Sequence, residues 1–203
     1  MKLLAATRSA GKQKELRRLL EAAGHEVVFP DEAGLPERAE EDLLETEPSF
    51  QANARRKAEY FARLSGLPTF ADDSGLEVFS LGGAPGVRSK RFAGVSGPAS
   101  VVDAANNAEL MRRLHGATEA RRAARYRCVL VLLRLPSALP EVFEGACAGR
   151  ILEAPSGTGG FGYDPYFFCT EIGKSFGDAD AAEKDAVSHR GRALQALIAA
   201  LAS

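Results

Sequence analysis

The fold is decided by the opening of the chain, which reads LLAATRSAGKQKELRRLLEAAGHEVVF from residue 3 to residue 29. The apolar run Leu3–Ala6 predicts a buried strand that feeds a tight turn. The segment Lys12–Ala23 has a helical period, and residues 25–29 predict a second strand that stops at Pro30. This strand–helix–strand opening favours a mixed or parallel sheet.

The rest of the chain alternates between helical and extended patterns. Helices are predicted at Phe50–Leu64 and Val101–Leu114 and from about Ser188 to the end. Strands are predicted at Thr69–Ala71, Leu76–Leu81, Tyr126–Leu135 and Val142–Ile151, the last two joined around Pro136–Pro140. Two glycine-rich stretches, residues 82–97 and 155–166, are predicted to be loops. The chain therefore reads as one α/β domain over residues 1–203.

Composition excludes several classes of protein. The formal net charge is -1, which argues against a nucleic-acid partner because such domains usually carry a basic excess. The 3 cysteines are odd in number and widely spaced, so neither a disulfide framework nor a zinc site is expected. The opening apolar run is too short for a signal peptide, and no stretch is long and uncharged enough to span a membrane. We therefore expect a cytoplasmic protein without a membrane partner.

The first candidate site is the turn after the opening strand, which consists of Thr7, Arg8, Ser9, Ala10, Gly11 and Lys12. A strand that turns into a helix N-terminus presents free backbone N–H groups and the positive end of the helix dipole to a phosphate. The segment is not a Walker A loop, because its first glycine is missing and Gln13 stands where Ser or Thr would bind magnesium. A simple turn with a solvated lysine is equally consistent with the pattern.

The second candidate is the acidic segment Asp72-Asp73-Ser74-Gly75 at the predicted strand end. Adjacent carboxylates in an apolar strand are costly unless they are solvated or bind a metal ion. Side chains alternate across a strand, so one aspartate of the pair is expected to face a site while the other braces the turn. A polar turn without any ligand is the alternative.

The third candidate is the loop Gly157–Pro165, which contains the spacing GxGxxG. A dinucleotide site needs a strand before this spacing and a helix after it, and Pro155 and Pro165 rule out that arrangement. Phe161 and Tyr163 suit stacking on a base. Their alternative role is to fill the core.

The fourth candidate is the segment 184–192, in which Lys184, His189 and Arg190 surround the start of the last predicted helix. Cationic residues there are disfavoured by the helix dipole, so a nearby anion or carbonyl group is expected. A solvated basic face is the alternative reading of this segment.

Taken together and in this order, the segments resemble the inosine triphosphate pyrophosphatase family, also called the dITP/XTP or HAM1-type pyrophosphatases. The segments that carry the resemblance span nearly the whole chain: the opening strand and turn to Lys12, Ser49-Phe50, Asn53-Ala54, Lys57-Ala58, 71–76, 82–86, 157–165 and 188–191. The resemblance implies an elongated, two-lobed mixed sheet flanked by helices, with a nucleotide cleft between the lobes, and a homodimer. The implied activity is the hydrolysis of non-standard purine nucleoside triphosphates such as ITP, dITP and XTP to monophosphate and pyrophosphate.

The resemblance also implies roles for residues. Asp73 matches the catalytic acid, Glu45 and Asp73 match the ligands of Mg²⁺, and residues 7–12 with Lys57 match the triphosphate site. Base, sugar and substrate contacts fall on the remaining matched residues, which are Ser74, Phe161, Gly162, Tyr163, Asp164, Lys184, His189 and Arg190. His189 and Arg190 are expected to donate toward the 6-keto group of the base.

The chain departs from the family pattern in two places. Ser9 stands where the family usually has Asn, and Ala52 where it commonly has Glu. Two rival hypotheses remain open: a related Maf-type pyrophosphatase that acts on other nucleotides, and a nucleotide-binding module without turnover, which Ser9 motivates.

Overall fold

The computed structural model describes residues 1–135 and 138–202. The helices are α1 Ala10–Ala22, α2 Phe50–Ser65, α3 Ala99–Arg113, α4 Ala181–Val187 and α5 His189–Leu201. The strands are β1 Lys2–Ala5, β2 Glu26–Val28, β3 Thr69–Val78, β4 Ala123–Leu133, β5 Glu141–Ile151, β6 Phe167–Cys169 and β7 Lys174–Ser175. They form one seven-stranded sheet in the order β2-β1-β3-β4-β5-β6-β7. No helix among the described residues is long and apolar enough to cross a membrane.

The sheet is mixed. β1 runs parallel to both β2 and β3, whereas β6 runs antiparallel to β5 and β7. The predicted mixed α/β fold is therefore confirmed. The parallel part follows from the opening strand–helix–strand unit, because a crossover helix returns the chain to the same end of the sheet.

The chain divides into two compact units, and the first consists of Met1–Asp73, Cys128–Gly145 and Arg190–Ser203. Its sheet is covered on both faces. On one face, Leu16 and Leu20 of α1 share a buried cluster with Leu194 and Leu197 of α5. On the other face, Ala54, Ala58 and Phe61 of α2 pack with Leu4 and Val131 of the sheet. Strands buried on both faces read as continuous apolar runs, which is why β1 and β4 were recognisable.

The second unit consists of Ser74–Arg127 and Ala146–His189. Its core joins Leu110 and Leu114 of α3 to aromatic side chains of strands and loops, among them Tyr126, Phe167 and Phe176. Phe92, from the glycine-rich segment 82–97, is also part of this cluster. That segment folds partly into a short 3₁₀ helix, Gly86–Arg91.

Several sequence predictions need correction. The segment 72–75 is no turn at a strand end, because β3 runs without interruption to Val78 and residues 79–81 form a 3₁₀ helix. The short strands β6 and β7 and the helix α4 were not predicted. The loop around Pro136–Pro140 includes Pro136 and Ser137, which lie outside the described residues. The nucleotide cleft and the homodimer stay predictions.

Candidate active site

Asp72 and Asp73 lie in the middle of β3 and contact different helices of the first unit. Asp72 accepts hydrogen bonds from Arg190, 3.3 Å from Nε and 3.2 Å from Nη2, and lies 2.9 Å from the Nζ atom of Lys12. Asp73 accepts a hydrogen bond from Asn53 of α2. Neighbouring side chains of a strand point to opposite faces, so the two adjacent carboxylates have different hydrogen-bond partners.

Asp72 belongs to a buried ionic network. Its side chain is 1% exposed. Burial alone would raise the pKa of this carboxyl group, but Lys12, Arg190 and Lys57 together hold the pKa well below its usual range. The carboxylate therefore stays ionised and organises the cations around it.

Arg190 joins Asp72 to a third charged residue. Its Nη1 atom donates to Oε2 of Glu15 on α1 at 2.5 Å, and the guanidinium is 3% exposed. Burial alone would lower the pKa of Arg190, but Glu15 and Asp72 raise it. Glu15 was not among the predicted site residues. A signal existed, because Glu15 directly precedes Leu16 on the apolar side of the predicted helix, where an acid needs a partner.

Asp73 has a different environment. Asn53 Nδ2 donates to its Oδ2 atom at 2.8 Å, and the residue is 5% exposed. Burial is the main cause that raises its pKa to about 6, Lys57 lowers the value and the negative charge of Glu45 raises it. Asp73 is therefore mostly ionised at neutral pH, yet its proton affinity is higher than that of an ordinary aspartate.

Lys57 links Glu45 to β3. Its Nζ atom donates to Oε1 of Glu45 at 2.5 Å and to the backbone carbonyl oxygen of Asp72 at 2.7 Å. Burial alone would lower the pKa of Lys57, but Glu45, Asp72 and Asp73 raise it, so the ammonium group stays charged. Asn53, one helical turn earlier, exchanges two hydrogen bonds with the backbone of Glu47 at 2.8 and 3.3 Å. The acidic segment before α2 is thus held against Asp73.

The opening turn adopts a regular helix start. The Ser9 hydroxyl caps α1 by accepting from the Lys12 backbone N–H at 3.5 Å, and the Ser9 N–H donates to Thr7 Oγ1 at 3.2 Å. Ala10 and Gly11 form the first turn of α1, which contains no acidic residue. No side chain of that turn therefore neutralises the positive end of the helix dipole.

Arg8 points to the acidic segment that follows β2. Its guanidinium donates to Glu41 at 2.7 and 2.8 Å and to the carbonyl oxygen of Leu35 at 3.0 Å, and it also pairs with Asp31. The side chain is 16% exposed. The Arg8 guanidinium is thus paired with carboxylates of its own unit.

The two carboxylates that the resemblance assigns to Mg²⁺, Glu45 and Asp73, both belong to the first unit. No group of three or more His, Cys, Asp or Glu side chains is arranged to bind a metal within residues 1–135 and 138–202. Magnesium, however, uses one or two carboxylates together with water and substrate phosphates. Glu45 and Asp73 supply two hard oxygen donors, and the charge of Glu45 is felt at Asp73. The donor set therefore suits Mg²⁺ held jointly with a polyphosphate.

The second unit contains the predicted aromatic loop. Asp164 is 4% exposed and accepts from Lys184 Nζ at 2.6 Å and from the Phe161 backbone N–H at 2.8 Å. The Lys184 ammonium also lies 5.0 Å from the centre of the Phe161 ring. Phe161, Asp164 and Lys184 therefore lie together, and their assignment to base and sugar contacts stays a prediction.

Two further predicted residues pack within this unit. Tyr163 is 4% exposed, and its hydroxyl donates to the carbonyl oxygen of Ser89 at 2.8 Å. The His189 ring stacks on Tyr126, with centres 4.6 Å apart and planes at 8°. Tyr163 is thus a core residue, which was its alternative role. Ser74 follows Asp73 directly in β3 and is half-buried.

The fold and these two clusters define a class: an α/β protein with a buried carboxylate–cation site at a helix N-terminus and a separate aromatic loop. The Ham1 family model matches residues 3–200, and the chain belongs to this family.

Similar proteins agree with this family. A dITP/XTP pyrophosphatase of Ralstonia nicotianae is 45% identical over 199 residues, which cover 97% of this chain and 94% of that protein. The solved structure of a HAM1 protein from Coxiella burnetii has a TM-score of 0.84 and 33% identity, covering 100% of this chain and 98% of the other. A nucleoside-triphosphatase, or dITP/XTP pyrophosphatase, from Mycobacterium abscessus has a TM-score of 0.73 and 42% identity, covering 97% and 98%.

Proposed function

We propose that this chain is a magnesium-dependent pyrophosphatase that hydrolyses non-standard purine nucleoside triphosphates, such as ITP, dITP and XTP, to monophosphate and pyrophosphate. The observation that carries the proposal is the cluster of Glu45, Lys57 and Asp73 in a chain of the Ham1 family. The names of the relatives, dITP/XTP pyrophosphatases, support the substrate class.

Glu45 and Asp73 would hold Mg²⁺. When bound, the ion would neutralise phosphate charge and lower the pKa of water. In the metal-free chain the pKa of Asp73 is about 6, so the carboxylate is mostly ionised at neutral pH and would serve as a ligand of the ion or accept the proton of the attacking water. Attack at the α-phosphorus breaks the bond to the β-phosphate and releases pyrophosphate without a covalent intermediate.

The cations of the first unit would stabilise the leaving pyrophosphate. Lys57 is buried and Lys12 is 16% exposed, so their positive charges lie where solvent access is limited and act more strongly than in water. The N-terminus of α1, from Thr7 to Lys12, adds backbone N–H donors. The contacts of Arg8 with Glu41 and Leu35 support a role in holding the acidic segment rather than in phosphate binding.

Base recognition would belong to the aromatic loop and to His189. Phe161 is half-buried and lies beside Lys184, which suits stacking on a purine. A hydrogen-bond donor aimed at position 6 of the base can donate to a keto oxygen, whereas in adenine it faces the 6-amino group, which is another donor. This mismatch can discriminate between the two kinds of base by about 10⁴–10⁵. The ion pairs of Arg190 with Glu15 and Asp72 support a positioning role for Arg190 in place of the predicted base contact.

The test measures pyrophosphate and orthophosphate separately during incubation with ITP and Mg²⁺. We expect equal amounts of IMP and pyrophosphate, a dependence on Mg²⁺ that a chelator abolishes, and loss of product in Asp73→Asn. Release of orthophosphate first, or full turnover in the chelator, would contradict the proposal. We also propose that the chain forms a homodimer in the cytoplasm. Sedimentation of the purified chain would test the dimer.

A further inference from the structure

Two residues of α3 contact the aromatic loop through one glycine. The Gly162 backbone N–H donates to Oδ2 of Asp103 at 2.8 Å, and Nδ2 of Asn107 donates to the Gly162 carbonyl oxygen at 2.9 Å. Asp103 and Asn107 are four residues apart, so they lie on one face of the helix. Both backbone hydrogen-bonding groups of Gly162 are therefore held by side chains of the same helix.

Gly162 is the position where the loop needs such support. It has a φ of +64°, and no regular strand or helix surrounds it. The residues before and after it, Phe161 and Tyr163, are the loop's aromatic side chains. Since a backbone group without a partner is costly once water is displaced, the two contacts select one conformation of this turn.

Asn107 carries a second indication. Its Oδ1 atom is buried and has no hydrogen-bond partner among the described residues. An unsatisfied buried acceptor costs stability. The Asn107 side chain therefore does not satisfy all of its own polar atoms. The contact that it does make is the hydrogen bond from Nδ2 to Gly162.

We propose that Asp103 and Asn107 are positioning residues that set the Phe161–Asp164 loop for base recognition before the nucleotide arrives. The inference rests on the proposed function and deepens it, because it names residues that control affinity for the purine base. Both act through Gly162 and touch no reacting atom. We call the contacts of Asp103 and Asn107 with Gly162 the clamp. A loop ordered in advance lowers the entropy cost of binding, so the clamp affects KM rather than kcat.

The kinetic test compares four variants with the parent chain. Asp103→Ala and Asn107→Ala should each raise KM for ITP by about tenfold, the effect of one lost charge-assisted or buried hydrogen bond, with kcat unchanged. Asp103→Asn keeps an acceptor oxygen and should restore most of the affinity. Glu109→Ala, on the same helix but paired with Arg112 and Arg113, should match the parent.

A second readout needs no nucleotide. The chain contains no tryptophan, so Phe161→Trp introduces a single fluorescent reporter into the loop. In this background, Asp103→Ala should increase quenching by acrylamide, Asp103→Asn should increase it less, and Glu109→Ala should leave it unchanged. The quenching measurement tests the positioning role of Asp103 even if the parent chain does not hydrolyse ITP. Absence of ITP hydrolysis would overturn only the proposed function.

The proposal is overturned if Asp103→Ala and Asn107→Ala leave both quenching and KM at the parent values. It is also overturned if the alanine variants lower kcat and the melting temperature together while KM stays constant, because that pattern indicates a merely structural role. If the alanine variants do not fold, Asp103→Asn decides. A small increase in quenching and KM supports the clamp, and parent values for both overturn it.

Discussion

The amide of Asn53 connects Asp73 to the acidic segment that contains Glu45. Its Nδ2 atom donates to the buried Asp73 carboxylate at 2.8 Å, while its Oδ1 atom accepts from the backbone N–H of Glu47. One side chain of α2 thus fixes the orientation of one proposed metal ligand and the approach of the segment that carries the other. Such support from neighbouring side chains is what keeps a site in its working geometry.

Exchange of Asp73 for Asn should abolish activity and raise the unfolding free energy at pH 8. The folded protein raises the pKa of Asp73 to about 6, above the ordinary value near 4 of an unfolded chain. The folded state therefore binds the proton more tightly, and the unfolding free energy falls as pH rises from about 4 to about 6. Asp73→Asn removes this loss, so it should gain up to about 3 kcal/mol at pH 8 in EDTA and gain nothing below about pH 4.

Urea unfolding at the two pH values measures this difference. EDTA removes any metal that would stabilise the parent chain by binding to Asp73. A difference between the parent and Asp73→Asn that is the same at pH 4 and pH 8 would contradict the raised pKa.

Exchange of Lys57 for Met should damage both activity and stability. It leaves Glu45 and the carbonyl group of Asp72 without the ammonium group, and breaking one half of a buried ion pair costs about 3 kcal/mol or more. The double variant Lys57→Met with Glu45→Gln should recover part of the stability but no activity. Lys14→Met, at an exposed position of α1, serves as the control and should change stability by less than about 0.5 kcal/mol.

The pair Glu15–Arg190 should be energetically coupled. Glu15→Gln, Arg190→Met and the double variant form a thermodynamic cycle, with an expected coupling energy of about 1–3 kcal/mol. Arg190→Lys should lose much of the activity because a single ammonium group cannot hold Glu15 and Asp72 in the geometry of a guanidinium. Arg17→Lys, at a half-buried arginine that pairs with Glu21 and Glu32 on the protein surface, is the control. Additive free energies within error would show that the ion pair does not couple the two residues.

Exchange of Arg8 for Ala should loosen the segment that leads to Glu45. Hydrogen exchange of residues 31–45 should become faster, because Glu41 and the Leu35 carbonyl group lose their common donor. Arg38→Ala, at a largely exposed side chain, is the matched control. If Arg8→Ala leaves this exchange unchanged and raises only the KM for ITP, the earlier assignment of Arg8 to the triphosphate would be favoured instead.

The three cysteines should resist thiol reagents in the folded protein. None of them forms a disulfide and all are buried, and burial is the main cause that raises the pKa of Cys128 to about 12. The thiolate is the reactive form, so Cys128 is almost entirely an unreactive thiol at pH 8, and the other two thiols are protected by burial. A chromogenic disulfide reagent should detect no thiols in the native chain and three in denaturant. Rapid reaction of the native chain would show that these positions open readily.

Much of the fold was predictable because its local signals agree with its packing. The opening β1–α1–β2 unit, α2 with its Ser49 cap, and the long strand β4 each carry a clear period or an apolar run. The strand β3 was misjudged in part, because Asp72, Asp73 and Gly75 are typical of turns. The partners that keep the two acids inside a strand, Lys12, Arg190 and Asn53, come from distant positions.

The candidate site was predictable by residue type and less so by partner. Lys57 pairs with Glu45, and both influence the pKa of Asp73, whereas the roles that the resemblance implied for the three residues stay predictions. Glu15 had a local signal in its place beside Leu16, but its partner Arg190 is distant in sequence. The roles of Asp103 and Asn107 depend on contacts with Gly162, which is far away in sequence, and no local pattern encodes them. The same holds for β6 and β7, strands of three and two residues that are too short to show a period.

The most direct test of the central claim is the kcat/KM for ITP, XTP, ATP, GTP and dTTP with Mg²⁺, measured by pyrophosphate release. The account predicts that ITP and XTP exceed ATP, which lacks the 6-keto group, by several orders of magnitude, with the monophosphate as the other product. Comparable values for ATP, or preferred turnover of dTTP, would contradict it, and dTTP would indicate a Maf-type activity. Binding of ITP without release of any product would instead indicate a nucleotide-binding module.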